Sequence, residues 1–246
     1  MPKLLIAIPA LNEQHTIGRV LDDLVTFHPR EDIVVIDDGS SDETRKIALA
    51  AGITTLTHVI NLGVGGAMGT AFKYANSSGY DFVIQLDADG QHEPKYIQRL
   101  LEASSEADVV IGSRFADGGA FAAGPFRRSV MRVIGWIVSR YAKATLTDVT
   151  SGFRLAGPRA IQLFALHYPY EYLGDTVESA ILAAKIGLRV KEVPVTMQAR
   201  AGGAPSQSVW RASLYTLRIF MVMGLAMFRG VPPETKPFIR TLGKSK

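Results

Sequence analysis

Five short apolar runs, each cut off by polar or glycine-rich residues, fill the first 112 residues: Leu4–Ile8, Ile33–Ile36, Thr55–Ile60, Phe82–Leu86 and Val109–Ile111. Helical patterns lie between them. Ile17, Val20, Leu21 and Leu24 recur at the spacing of one helix face, for example. Strands that alternate with helices in this way predict an α/β fold with a doubly wound, mostly parallel sheet. In such a sheet the loops leaving the carboxyl ends of the strands share one rim, and ligands bind there. Glu13, Asp38, the 61–69 loop, Asp87 with Asp89, and Arg114 all fall on loops of that kind.

The stretch Val83–His92 carries the chemistry. An apolar strand ends in Asp87-Ala88-Asp89, and side chains two apart on a strand leave the same face, so both carboxylates can aim into the crevice beyond. Two like charges at that distance repel unless a cation lies between them, and hard oxygen ligands suit Mg²⁺ or Mn²⁺. Gln91 can add a neutral oxygen. A calcium loop fails, because Gly90 stands fourth after a strand and not sixth after a helix. A solvated turn closing the strand, or capping of the helix that Pro94 opens, explains the same residues without a metal.

The other rim loops have both structural and functional readings. Ser40 and Glu43 have the spacing of a capping box, which leaves Asp37 and Asp38 unexplained. Asn61 to Gly69 is expected to be a glycine-rich loop, with a helix running from it to about Ser77. Its glycines at 63, 65 and 69 are one residue off the dinucleotide spacing and follow the third strand. They are read as allowing close backbone approach or a tight helix start. Further on, the pattern predicts helices over Phe126–Leu146, after Pro158, and over Asp175–Ile186, a strand over Val190–Val195, and a last helix over Trp210–Phe228. Beyond Gly230 a loose basic tail is expected.

Charge divides the chain. Residues 1–124 hold 9 Lys and Arg against 17 Asp and Glu, whereas residues 125–246 hold 18 against 6. An acidic half suits a metal, and a basic half suits phosphates or an anionic membrane surface. The basic residues interleave with aliphatics more than with stacking aromatics, so no nucleic-acid partner is expected. No apolar run reaches the ~20 residues of a spanning helix, and the amino-terminal run is too short for a signal peptide. The absence of cysteine excludes disulfide and thiolate chemistry and fits a cytosolic protein.

The combination of Ile8-Pro-Ala-Leu-Asn-Glu13, Val35-Ile-Asp-Asp-Gly-Ser40, Asn61–Gly69, Asp87–His92, Gly112-Ser-Arg-Phe115, Ser151-Gly-Phe-Arg154 and Glu192-Val-Pro-Val195 resembles the glycosyltransferase family 2 enzymes of the GT-A fold. Within them it looks most like the polyprenyl-phosphate sugar synthases, the group of dolichol-phosphate mannose synthase. The resemblance covers Leu4 to Ser206, which defines a catalytic domain over residues 1–206. It implies a nucleotide-sugar donor contacted by Pro9, Glu13, Asp38 and Asp87. A Mg²⁺ or Mn²⁺ ion would sit on Asp87, Asp89 and Gln91, and Arg114, Arg128 and Arg200 would bind phosphate groups of donor and acceptor. Asp89, Arg114 and Arg200 are then the residues on which transfer depends most. Two departures stand out: no lysine follows Arg200 in the Arg200–Gln207 loop, and Arg132 stands where the family often has serine.

Such an enzyme would invert the anomeric centre and needs no general base, because a polyprenyl phosphate acceptor is already anionic. The first alternative is an enzyme extending a glycan hydroxyl, with Asp175 or Glu178 as the base. A second is an inactive membrane-associated scaffold. Residues 207–230 are expected to form an amphipathic helix lying in the headgroup layer, its Arg211, Arg218 and Arg229 forming a basic stripe, with residues 231–246 as tail. Phe126–Leu146 has similar character. The protein would then sit on the cytoplasmic face of the membrane, and a small membrane-protein partner is compatible with that placement.

Overall fold

A computed structural model describes residues 2–115, 125–170, 175–198, 224 and 228–242, with side chains from 132 onward in the second stretch and to 239 in the last. Seven strands form one sheet: β1 (Leu4–Ala10), β2 (Ile33–Asp37), β3 (Thr54–Thr57), β4 (Phe82–Gln85), β5 (Val109–Ser113), β6 (Arg154–Ala156) and β7 (Val190–Pro194). Their order is β3-β2-β1-β4-β6-β5-β7, and only β6 runs antiparallel to its neighbours. The expected doubly wound sheet is therefore present.

Helices cover both faces, and the strand sequences show why. Alternate residues of β1 and β2 enter different cores: Leu5, Ala7, Val34 and Ile36 on one side, Ile6, Ile8, Ile33 and Val35 on the other. A strand buried on both faces needs a continuous apolar run, which is what these sequences have. The first core is closed by α3 (Gly63–Ser77), α5 (Pro125–Ala142), α6 (Pro158–Leu166) and α7 (Asp175–Ile186). The second is closed by α1 (Ile17–Val25), α2 (Thr44–Ala50) and α4 (Ile97–Ala103).

β6 does most to shape the rim, and periodicity does not reveal it. It is three residues long and lies between β4 and β5, pairing Gln85 with Arg154 on one side and Ile111 with Arg154 on the other. Because it runs antiparallel, its amino-terminal flank, residues 148–153, arrives at the rim where β4 and β5 end.

Several expectations are corrected. The glycine-rich stretch is helix from Gly63 onward, because Asp38 caps it: Leu62 N–H donates to Oδ1 at 2.9 Å and Gly63 N–H to Oδ2 at 2.8 Å. The capping box does not form. Ser40 Oγ instead accepts the N–H of Asn12 at 3.0 Å, while Asp42 Oδ1 takes the N–H of Thr44 at 2.9 Å. The third strand stops at Thr57, since His58 turns inward to Asp38. α5 ends at Ala142, four residues short of the expected end, before Lys143 at φ +52°. The tail is not loose over 231–239. Pro233–Thr235 forms a turn, a helix follows over Lys236–Leu242, Thr235 is buried, and Phe238 joins the first core. The predicted helix Trp210–Phe228 lies almost wholly outside the described residues, as does Arg200, and so does the side chain of Arg128.

Candidate active site

A cleft of about 340 Å³ opens at the carboxyl ends of β1, β2 and β4. Pro9, Glu13, Asp38, Asp87 and Asp89 line it, together with Asn61, Gly63, Val64 and Ala67 at the start of α3. Five of the residues singled out from the sequence therefore meet in one space. Arg114 and Gln91 are not among its lining residues. Arg114 follows β5, two strands from β4 across β6. Gln91 donates its side-chain amide to the backbone oxygen of Gln198 at 3.3 Å.

Asp38 is held from all sides. Besides capping α3, its Oδ1 lies 2.7 Å from His58 Nδ1, and His58 Nε2 lies 2.8 Å from Thr70 Oγ1 on α3. The buried carboxylate thus ties the β2 exit to the helix that forms the cleft wall. Glu13 is fixed on the opposite wall: its N–H donates to Thr44 Oγ1 at 2.7 Å, and its Oε2 accepts the hydroxyl of Thr16 at 2.8 Å.

The two strand-end carboxylates differ in setting. Asp89 is buried and its Oδ1 accepts the N–H of Gln91 at 3.0 Å, a tight turn completed by Gly90 at φ +76°. The Asp87 side chain is 38% exposed. It lies against Gly152, where a Cβ atom would fall 2.9 and 3.0 Å from its oxygens, so only glycine lets the 151–154 segment approach this closely. Two carboxylates facing an open cleft fit a Mg²⁺-type ion, which takes one or two protein carboxylates and completes its shell with substrate phosphates and water. Among the described residues no three His, Asp or Glu side chains form a metal cage of their own.

Behind Arg114 stands a support that sequence reading missed. Asp148 is fully buried and accepts Arg114 Nε at 2.7 Å on Oδ2 and an Nη2 bond of 2.7 Å on Oδ1, a bidentate pair. Glu192 on β7 in turn holds the Thr147 and Asp148 N–H groups, each at 2.7 Å, and burial raises its carboxyl above the usual range. The Glu192-Val-Pro-Val195 motif thus acts through a loop on an arginine. The pairing spans 34 residues, and no local pattern signals it.

Asp175 and Glu178, the two candidate bases, separate in space. Glu178 lines a different cavity, beside Lys185 and Arg229. Asp175 is buried at the head of α7, beside Gly65, where a Cβ would lie 3.2 Å from the Asp175 Cβ. Burial lifts its carboxyl to about 6, against the pull of Arg154, and its Oδ2 has no hydrogen-bond partner among the described residues. Arg154, buried, donates to the Ser151, Val149 and Thr176 carbonyls, so its charge clamps the 149–154 segment to α7.

The glycosyl transferase family 2 profile matches residues 5–164. The chain belongs to that family. It is a glycosyltransferase of the GT-A fold. Among its relatives is the undecaprenyl-phosphate mannosyltransferase of Micrococcus luteus, 34% identical over 84% of this chain and 88% of that one. Another is the polyprenol monophosphomannose synthase of Mycolicibacterium smegmatis, 31% identical over 84% and 81%. Among solved structures, glucosyl-3-phosphoglycerate synthase of Mycobacterium tuberculosis in complex with Mn²⁺, uridine-diphosphate-glucose and phosphoglyceric acid superposes with a TM-score of 0.71. It is 16% identical and covers 92% of this chain and 79% of its own.

Proposed function

We propose that the protein moves a sugar from a nucleotide-diphosphate donor to a polyprenyl phosphate at a membrane surface, with inversion and with Mg²⁺ or Mn²⁺ as cofactor. The observation that carries this reading is the convergence of Asp87 and Asp89 with Pro9, Glu13 and Asp38 in one cleft. The relatives named for undecaprenyl and polyprenol phosphate support the acceptor class. The Mn²⁺ complex of the structural neighbour supports the cofactor.

The work of the chain is placement. Pro9, Glu13 and Asp38 seat the nucleoside, and the rigid Asp38–His58–Thr70 link keeps the wall of that seat from shifting. Asp87, Asp89 and, in its expected role, Gln91 would hold the cation, which neutralises charge on the departing diphosphate. Arg114, held by Asp148, is the expected phosphate-binding residue beside β5, and Arg128 and Arg200 complete that set. An acceptor phosphate oxygen attacks already ionised, so orientation and electrostatics suffice.

Membrane contact has its own support. α5 contains no acidic residue, and Arg132, Val133, Trp136 and Arg140 are exposed along it, a pattern of interfacial helices. Among the described residues no helix is long and apolar enough to cross a membrane. A second reading, transfer to a glycan hydroxyl with Asp175 as base, draws on the raised pKa of that carboxyl.

Thermal-shift screening with UDP-, GDP- and dTDP-sugars tests the donor site. One nucleotide sugar should raise the melting temperature further when Mn²⁺ is present, and Asp89→Ala should abolish that Mn²⁺-dependent part. No stabilisation by any nucleotide sugar would refute the proposal.

A further inference from the structure

His92 closes the strand-end motif and does not itself line the cleft, but it contacts Asp87, which does. Its geometry gives it a role. The ring is buried, 6% exposed, and stacks on Phe153 with centroids 5.0 Å apart and planes 18° from parallel. Its Nδ1 accepts the main-chain N–H of Asp87 at 3.0 Å. A main-chain nitrogen can only donate, so Nδ1 carries no proton, and the ring proton lies on Nε2. Nε2 stands 3.7 Å from Asp87 Oδ2, beyond hydrogen-bond length but oriented by the same ring. On its far side the His92 backbone bridges to Met197, and the N–H of Gln198 donates to the Gln91 carbonyl at 3.0 Å.

The imidazole therefore holds the Asp87 main chain by a direct bond, and so fixes the backbone from which the carboxylate projects. The ring packs on Phe153, and the neighbouring Gly152 lies against the carboxylate.

We propose that His92 is a positioning residue that presets the Asp87 carboxylate for a divalent cation. The inference rests on the proposed cation site. Groups behind metal-ligating side chains typically change metal affinity by about 10- to 100-fold when removed, and His92 is expected to fall in that range.

The test is Mn²⁺ binding to the full chain, read from the EPR signal of the free ion with and without a nucleoside diphosphate. Three variants divide the functions of the ring. His92→Asn keeps an acceptor near the Nδ1 position, His92→Gln keeps only a donor near Nε2, and His92→Phe keeps only the stack on Phe153. Mn²⁺ affinity should fall about 10- to 100-fold in His92→Phe and His92→Gln and stay within about threefold in His92→Asn, each protein being measured well below its own melting temperature. Equal affinity in all four proteins would overturn the inference. So would a loss in His92→Asn as large as in His92→Phe, because that pattern marks mere packing. Failure of the parent chain to bind Mn²⁺ even with nucleotide would instead remove the cation site itself, and the inference with it.

Discussion

Replacing Asp175 by Asn should change how stability depends on pH. The carboxyl titrates at about 6 in the folded protein against 3.8 for an ordinary aspartate in the open chain. Burial is the main cause and the nearby Asp87 charge adds to it, while Arg154 and main-chain N–H groups offset only part. For an acid raised in this way, the native state prefers the proton. Well below pH 3.8 both states are protonated and the site costs nothing. As pH rises toward 6 the unfolded chain ionises first, so stability is lost, and above the folded value the penalty is constant. The gap of roughly two pKa units, at 1.36 kcal/mol each, makes the full penalty about 3 kcal/mol, of which about 2–2.5 appears between pH 4 and 7.5. An asparagine cannot titrate. Whatever fixed cost its amide adds, the stability difference between parent and variant should shift in the variant's favour by that amount across this range. Urea unfolding of both proteins at half-unit steps of pH measures it directly. A difference constant to within about 0.5 kcal/mol from pH 4 to 7.5 would refute the burial reasoning. The same variant separates the two acceptor readings. Transfer to a lipid phosphate should survive with modest loss, whereas a hydroxyl acceptor that needs Asp175 as base would lose about 10²–10⁴-fold in kcat.

Packing and charge carry three further consequences. Asp148→Ala strips a fully buried partner from Arg114, whose side chain is 15% exposed, so it should cost about 3–5 kcal/mol, a fall in melting temperature of about 6–20 °C by calorimetry. Gly65→Ala would place a methyl 2.4 Å from the Pro169 carbonyl, so it should destabilise by about 1–3 kcal/mol in urea titration, although alanine favours a helix. Reversing charge on α5 with Arg132→Glu and Arg140→Glu should lower co-sedimentation with anionic vesicles but not with neutral ones, and added salt should reduce the difference.

The parts of the fold legible in the sequence are those written in local pattern. Leu4–Ile8 and Ile33–Ile36 are buried on both faces, so their strands stand out as unbroken apolar runs. The place of Asp87 and Asp89 just beyond β4 followed from the run before them, but the strand stops at Gln85 and Asp89 stands in a turn, so turn geometry and not strand alternation sets the two carboxylates. Features held by distant partners left no such mark. The three-residue β6 is too short for a period and owes its place to pairing with β4 and β5. The start of α3 at Gly63 depends on Asp38, twenty-five residues earlier, which no capping motif near the helix would show. Asp148 looks like one more loop acid until Arg114 is laid beside it. Phe238, a lone aromatic in a basic end, gave no reason to expect a place in the core.

That the acceptor is a lipid phosphate is tested most directly by transfer itself. The full chain is incubated with Mn²⁺, the nucleotide sugar selected by thermal shift, and an equimolar mixture of detergent-dispersed polyprenyl phosphate and oligosaccharide. Labelled sugar is expected in the lipid phase, linked through a phosphodiester of inverted anomeric configuration, and lost with Asp89→Ala. Label appearing on the oligosaccharide while the polyprenyl phosphate stays unmodified would contradict the lipid-phosphate acceptor.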